Sequence, residues 1–176
     1  MSEEVRYHML RPDQIVKRRK ECPVAYLPVG TIEWHGVHNP VGTDTLQAEE
    51  FAVRCAEKGG GLAFPPLYYG ESRSESLMEA NAADRDKIAE KMDLPVDNFN
   101  PECQYFSPNQ QVENYHRLLL HILTELETLG FKVGVLVAGH YPLIDHCRSA
   151  VLTFSKRRLG TVPAGKMIAW TFVDYH

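Results

Sequence analysis

The stretch Pro28–Glu50, PVGTIEWHGVHNPVGTDTLQAEE, packs Glu33, His35, His38 and Asp44 into a single connection between an apolar run and an amphipathic one. Upstream, Val24–Val29 (VAYLPV) has the unbroken apolar character of a buried strand. Downstream, Leu46, Ala48, Phe51, Ala52, Cys55 and Ala56 recur at helical spacing and are expected to face inward, until Gly59-Gly60-Gly61 stops the helix. A strand, a ligand-rich loop and a helix in succession open a βαβ unit. In extended backbone, residues two apart point the same way, so Glu33 and His35 can converge on one ion, with Asp44 closing the site from the far side of the loop. Gly30, Gly36 and Gly42, with Pro40, suit a loop that turns sharply and brings backbone close to an ion. Two readings of the loop stand side by side. It is a metal centre, or it is a polar surface turn in which Asp44, flanked by Thr43 and Thr45, caps the helix.

Working outward, residues 11–21 read as a short helix with Pro12 in its first turn, and Leu62–Phe64 as a second strand ended by Pro65-Pro66. Residues 72–106 are rich in charge, Asn and Pro and read as a polar insertion, with a short helix at about Asp84–Met92. Ser107-Pro108-Asn109-Gln110 is a helix start: Ser at the N-cap, Pro first, Gln third. Val112, Tyr115, Leu119, Ile122, Leu123, Leu126 and Leu129 follow as its expected inner face, and Gly130 as its end. Lys132–Ala138 (KVGVLVA) is the clearest buried strand, with Gly139-His140 at its carboxyl end. Ile144, Cys147, Val151 and Phe154 mark one more helix, and Met167–Val173 (MIAWTFV) a last strand. Strands alternating with helices imply right-handed crossovers and a mainly parallel sheet, read here as one α/β domain over 1–176. Ligands in such sheets bind outside the carboxyl ends of strands, which puts His140 on the same rim as the Glu33/His35 loop.

Composition excludes several classes. The net charge is −4, and the basic runs Lys17–Lys20 and Lys156–Arg158 read as solvated helix ends, so no nucleic-acid surface is expected. The four cysteines, Cys22, Cys55, Cys103 and Cys147, form no CxxC pair and read as reduced thiols. No signal peptide and no apolar run of membrane-spanning length is evident, so no membrane partner is expected and the expected location is the cytoplasm. GxGxxG, GxxxxGK[ST] and GxSxG are all absent, which argues against a Rossmann site, a P-loop and a serine hydrolase elbow.

LPVGTIEWHGVHNPVGTDTLQAEEFA resembles the signature of the creatininase (creatinine amidohydrolase) family, a strand ending in Gly-x-x-Glu-x-His-Gly-x-His-x-Pro followed by Gly-x-Asp-Thr. VGVLVAGHY resembles that family's second block, and with FPPLYYGES the likeness covers about residues 22–74 and 112–156. The resemblance implies a three-layer α/β/α fold and hydrolysis of cyclic or linear non-peptide amides by two divalent ions, zinc, manganese or iron, through a metal-bound hydroxide. It also implies a homo-oligomer, with a hexameric ring as a frequent form. By position, Glu33, His35, Asp44 and His140 match the metal ligands, Asp44 as the bridge, with Glu33 and His140 central to catalysis. His38, Trp34, Tyr69 and Tyr141 are candidates for supporting the ligands or lining the substrate pocket. The departures are specific. Pro142 stands where creatininase proper has a glutamate ligand, so creatinine itself is a doubtful substrate. A further glutamate expected after the last strand is not reached, so the chain is expected to be part of a longer one. A protein that keeps the fold and has lost hydrolysis, acting as a metal-binding or assembly subunit, is the alternative.

Overall fold

The computed structural model describes residues 4–70, 83–99, 105–156 and 167–173. Its strands are β1 (Val24–Val29), β2 (Leu62–Ala63), β3 (Val133–Ala138) and β4 (Ile168–Val173). All pair in parallel, in the order β2-β1-β3-β4, with Val24–Val29 opposite Val133–Ala138 residue for residue. The helices are α1 (Pro12–Glu21), α2 (Thr43–Gly59), α3 (Arg85–Lys91), α4 (Pro108–Thr128) and α5 (Leu143–Lys156).

Alternation along the strands divides the apolar residues between two cores. Ala25, Leu27, Val29, Leu136 and Ala138 face α4 and α5, which supply Leu119, Leu123, Leu126, Leu143, Cys147 and Phe154. Val135, Val137 and Ala63 face α2, which supplies Ala48, Ala52, Val53 and Ala56. Helices thus cover both sides of a parallel sheet, the expected three-layer α/β/α arrangement. At the start of α4 the expected capping box forms, the Ser107 hydroxyl accepting from the Gln110 N–H. Gly130 ends that helix at φ +89°, a conformation suited to glycine.

Two face assignments are corrected. Leu46 and Phe51, expected inward, are 45% and 38% exposed. The buried stripe of α2 is instead Asp44, Thr45, Ala48, Ala52, Val53 and Ala56. The cause is how closely the helix approaches the sheet: a Cβ added to Gly30 would lie 2.6 Å from Thr45 Cα, and one on Gly139 would lie 2.9 Å from Ala48 Cβ and collide with the Asp44 carbonyl. Only small side chains fit such a gap, so the larger ones turn outward. Val112 is also exposed, because the buried stretch of α4 begins only at Tyr115.

Within the expected insertion, α3 and a 3₁₀ turn at Val96–Phe99 enclose a separate small core of Ile88, Ala89 and Phe99. Residues 72–82 and 100–104 of that segment lie outside the described residues. Because β2 and β3 lie on opposite sides of β1, the connections leaving β1 and β3 diverge above their carboxyl ends. That divergence is the switch point at which open α/β sheets bind ligands.

Candidate metal centre

The site is built by two loops that leave this switch point. After β1, the Gly30 N–H donates to the Leu67 carbonyl (2.9 Å) and the Glu33 N–H to the Val41 carbonyl (2.9 Å), closing a loop over residues 33–41. Gly36, at φ +80°, turns the loop. Thr43 donates to the Pro40 carbonyl through its N–H (3.1 Å) and its hydroxyl (2.6 Å), leading the chain into α2. The Thr45 hydroxyl donates to Thr31 O (3.5 Å) and the Thr31 hydroxyl to Gly70 O (3.4 Å), tying the start of α2 and the connection after β2 to the loop that leaves β1. After β3, Gly139 lets the first turn of α2 close in, and His140 follows it.

Asp44 lies in that first turn, but the N-cap is Gly42, so the capping role allowed by the sequence is not the one observed. Its carboxylate faces two imidazoles, with Oδ1 2.9 Å from His35 Nε2 and Oδ2 2.7 Å from His140 Nδ1. Glu33 is split the same way, with Oε1 3.3 Å from His35 Nε2 and Oε2 3.6 Å from His140 Nδ1. Each acid therefore turns one oxygen towards each histidine. Glu33, Asp44 and His140 are each 6% exposed, while the His35 ring keeps a quarter of its surface open and marks the accessible side.

Two adjacent buried carboxylates repel each other unless positive charge lies between them. The amino end of α2 favours the Asp44 charge but is a fractional charge only. His35 Nδ1 lies 3.3 Å from the Glu33 carbonyl oxygen, a placement that fits Nδ1–H donating to it. In that tautomer the lone pair on Nε2 points at two carboxylate oxygens, an arrangement that calls for a cation between them. Two carboxylates and two imidazoles suit zinc, manganese or iron. Glu33, His35 and Asp44 offer ligand atoms within 4.8 Å of one another. The residues present therefore fit a divalent metal.

The remaining candidates separate by position. Trp34 packs, half-buried, against the core of α3 and its 3₁₀ turn. His38 is exposed in the turn after Gly36 and is not among the gathered ligands. Tyr69 and Tyr141 are largely exposed on the connections after β2 and β3. Pro142, two residues beyond His140, has no side-chain donor atom. Sequence reading did not single out Thr31, and it placed Gly139 at the strand end without giving it a role. Gly139 could have been suspected from its place between a buried strand and a candidate ligand.

Residues 8–81 match the family model described as Creatininase: Creatinine amidohydrolase. The 3-dehydro-scyllo-inosose hydrolase of Thermotoga maritima is 35% identical over 66 residues, 38% of this chain and 21% of that protein. Among solved structures, a creatinine amidohydrolase (creatininase) superposes with a TM-score of 0.67 at 22% identity, over 97% of this chain and 58% of its own. One described as "Creatininase Mn" gives 0.67 at 22% identity, over 96% and 58%. A mutant creatininase described as "Zn-Zn type" gives 0.66 at 22%, over 97% and 58%. The chain thus spans 58% of the length of these solved relatives, and at such identities the superpositions speak for the fold. The likeness read from the two motifs is therefore found in the sequence over residues 8–81 and in the fold over nearly the whole chain, and in both it is a likeness to the creatininase (creatinine amidohydrolase) family.

Proposed function

We propose that the protein is a metal-dependent amidohydrolase of the creatininase type, acting on a cyclic or linear C–N amide bond of a small non-peptide molecule. One observation carries the reading: Asp44 and Glu33 each divide their two oxygens between His35 and His140, so four donors frame a space with two ends. His35 would hold an ion at the open end and His140 one at the buried end, with Asp44 reaching both and Glu33 beside them. Divalent ions held by these residues would supply two things, a lowered pKa of bound water, towards roughly 7 to 9, and polarisation of the scissile carbonyl. The chain's own part is to fix the donors in place, to keep the inner end dry through the burial of Glu33, Asp44 and His140, and to admit substrate on the His35 side. Pro142 removes a carboxylate that creatininase proper uses, which favours an amide other than creatinine. A homo-oligomer and a cytoplasmic location belong to the same reading. No described helix is long and apolar enough to cross a membrane.

The first test is elemental analysis of protein prepared without chelator. Less than about a tenth of an equivalent of zinc, manganese or iron, not raised by adding metal, would remove the proposal. Affinity should fall below about pH 6, because protons compete for imidazole nitrogen. The second test uses Asp44→Ala and Asp44→Asn. Both should lose metal and hydrolysis of a panel of small amides together, since a neutral amide cannot offer two anionic oxygens. An Asn variant with full metal content and activity would show Asp44 to be structural. Wild-type protein that binds metal yet hydrolyses nothing on the panel would favour the binding-subunit alternative.

A further inference from the structure

We propose that Trp34 is a positioning residue for the metal centre, and that α3 with its 3₁₀ turn is the clamp through which it acts. The proposal rests on the metal reading given above.

Glu33 and His35 reach the same cluster, their side chains meeting at 3.3 Å, while Trp34 between them packs on a different core. Side chains that alternate in this way between two surroundings are coupled through one short stretch of backbone, so fixing the middle one restrains the direction of both neighbours. The middle side chain is an indole held against Ile88, Ala89 and Phe99, with Met92 and Val96 alongside. This small core is separate from both sheet cores. The α3 segment therefore packs its apolar residues against the loop that presents two of the four donors.

Chemistry at the metal does not demand a tryptophan here. The Glu-x-His pattern leaves the middle position open, and the indole packs on the α3 core. Its size is explained by the packing, since a large rigid aromatic excludes water and locks a short segment of chain. His35 gains most from this. Its ring is the most open of the four, and its Nδ1 is steadied by a backbone carbonyl on the same tripeptide. If the tripeptide rotates, the ring and its carbonyl partner move together and Nε2 leaves the cluster. Groups that orient metal ligands without touching the ion typically change affinity by roughly 10- to 100-fold when removed.

The test is zinc titration by calorimetry into metal-free protein, alongside the melting temperature of each metal-free variant. Trp34→Ala should weaken zinc binding by about 10- to 100-fold, and Trp34→Phe should recover most of it. Phe99→Ala, which alters no candidate donor, should weaken binding in the same direction. The double variant should bind no more weakly than Trp34→Ala alone, because both changes break one device. Leu123→Ala serves as the control: it lowers stability from the separate core between the sheet and α4 and should leave zinc affinity unchanged. Trp34→Ala with wild-type affinity, or losses at Trp34 and Phe99 that simply add, would overturn the proposal. If Trp34→Ala does not fold, Phe99→Ala and Trp34→Phe carry the test. Wild-type protein that binds no zinc fails earlier, and it fails the metal reading rather than the clamp.

Discussion

The two faces of the sheet are packed differently. Against α4 and α5 the core is rich in leucine and phenylalanine; against α2 it is built from alanine and valine, with Gly30 and Gly139 where strands end. Large interdigitating side chains maximise buried apolar area and hold the layers apart. Small ones let backbones approach, and that closeness sets the Asp44 carboxylate 2.7 Å from the ring at the end of β3. One face mainly supplies stability and the other mainly supplies position, so mutations on the two faces should fail in different ways.

The largest loss of stability should come from the leucine face. Leu123 is fully buried, and Leu123→Ala should cost about 2–5 kcal/mol, depending on how far the cavity collapses. Urea denaturation would measure this. Metal content per folded molecule should not change, and a parallel loss of metal would erase the distinction between the faces.

Gly139→Ala should cost less stability and more function. Its methyl group would meet the Asp44 carbonyl and Ala48 Cβ, so the first turn of α2 must move outward. Such overpacking costs about 1–3 kcal/mol. Because the shift draws Asp44 away from His140, metal stoichiometry should fall far more than melting temperature does. A variant with full metal content would show that the close approach is not what places Asp44.

The contrast also explains what was legible in the sequence. β1 and β3 could be read because a strand covered on both faces is an unbroken apolar run. Glu33 and His35 could be paired from their spacing, and His140 from its place at a strand end. The inward face of α2 could not be read correctly, because hydrophobicity ranks Leu46 and Phe51 above Ala48 and Thr45. What decides is the close approach of α2 to Gly30 and to Gly139, the latter far off in sequence, which admits only small side chains. Asp44 alone could not choose between cap and cluster, since the choice depends on where His35 and His140 arrive. Trp34 was noticed, but its partners lie in a polar segment some fifty residues on, and no local pattern announces that contact.

A thiol reagent probes the thick face without mutation. Burial pushes the Cys147 thiol from its ordinary value of 9.0 up to about 12. At pH 8 its thiolate fraction falls from about a tenth to about one part in ten thousand, so alkylation in folded protein should be slower by about a thousandfold than for an ordinary exposed thiol. The sign is that of a raised pKa: this site's contribution to stability is intact below about pH 9 and declines as pH rises towards about 12. Rapid labelling of Cys147 under native conditions would mean that this face opens more readily than its packing implies.

The smallest effect is expected at Leu46, where hydrophobic patterning and structure disagree most directly. Patterning puts this leucine in the core, so its replacement by glutamine would bury an amide and cost several kcal/mol. In the structure it lies on the outer stripe of α2 beside Thr43, Gln47 and Glu50, with 45% of its surface exposed. Leucine and glutamine have nearly the same helix propensity, so backbone terms cancel and only the partial loss of apolar contact remains. Leu46→Gln should therefore change stability by no more than about 0.5 kcal/mol and leave metal content untouched. Calorimetric melting of the variant beside wild type decides the matter. A loss above about 2 kcal/mol would mean that something covers this stripe in solution, and the thin face would then be a layer between two packed surfaces rather than the boundary of the fold.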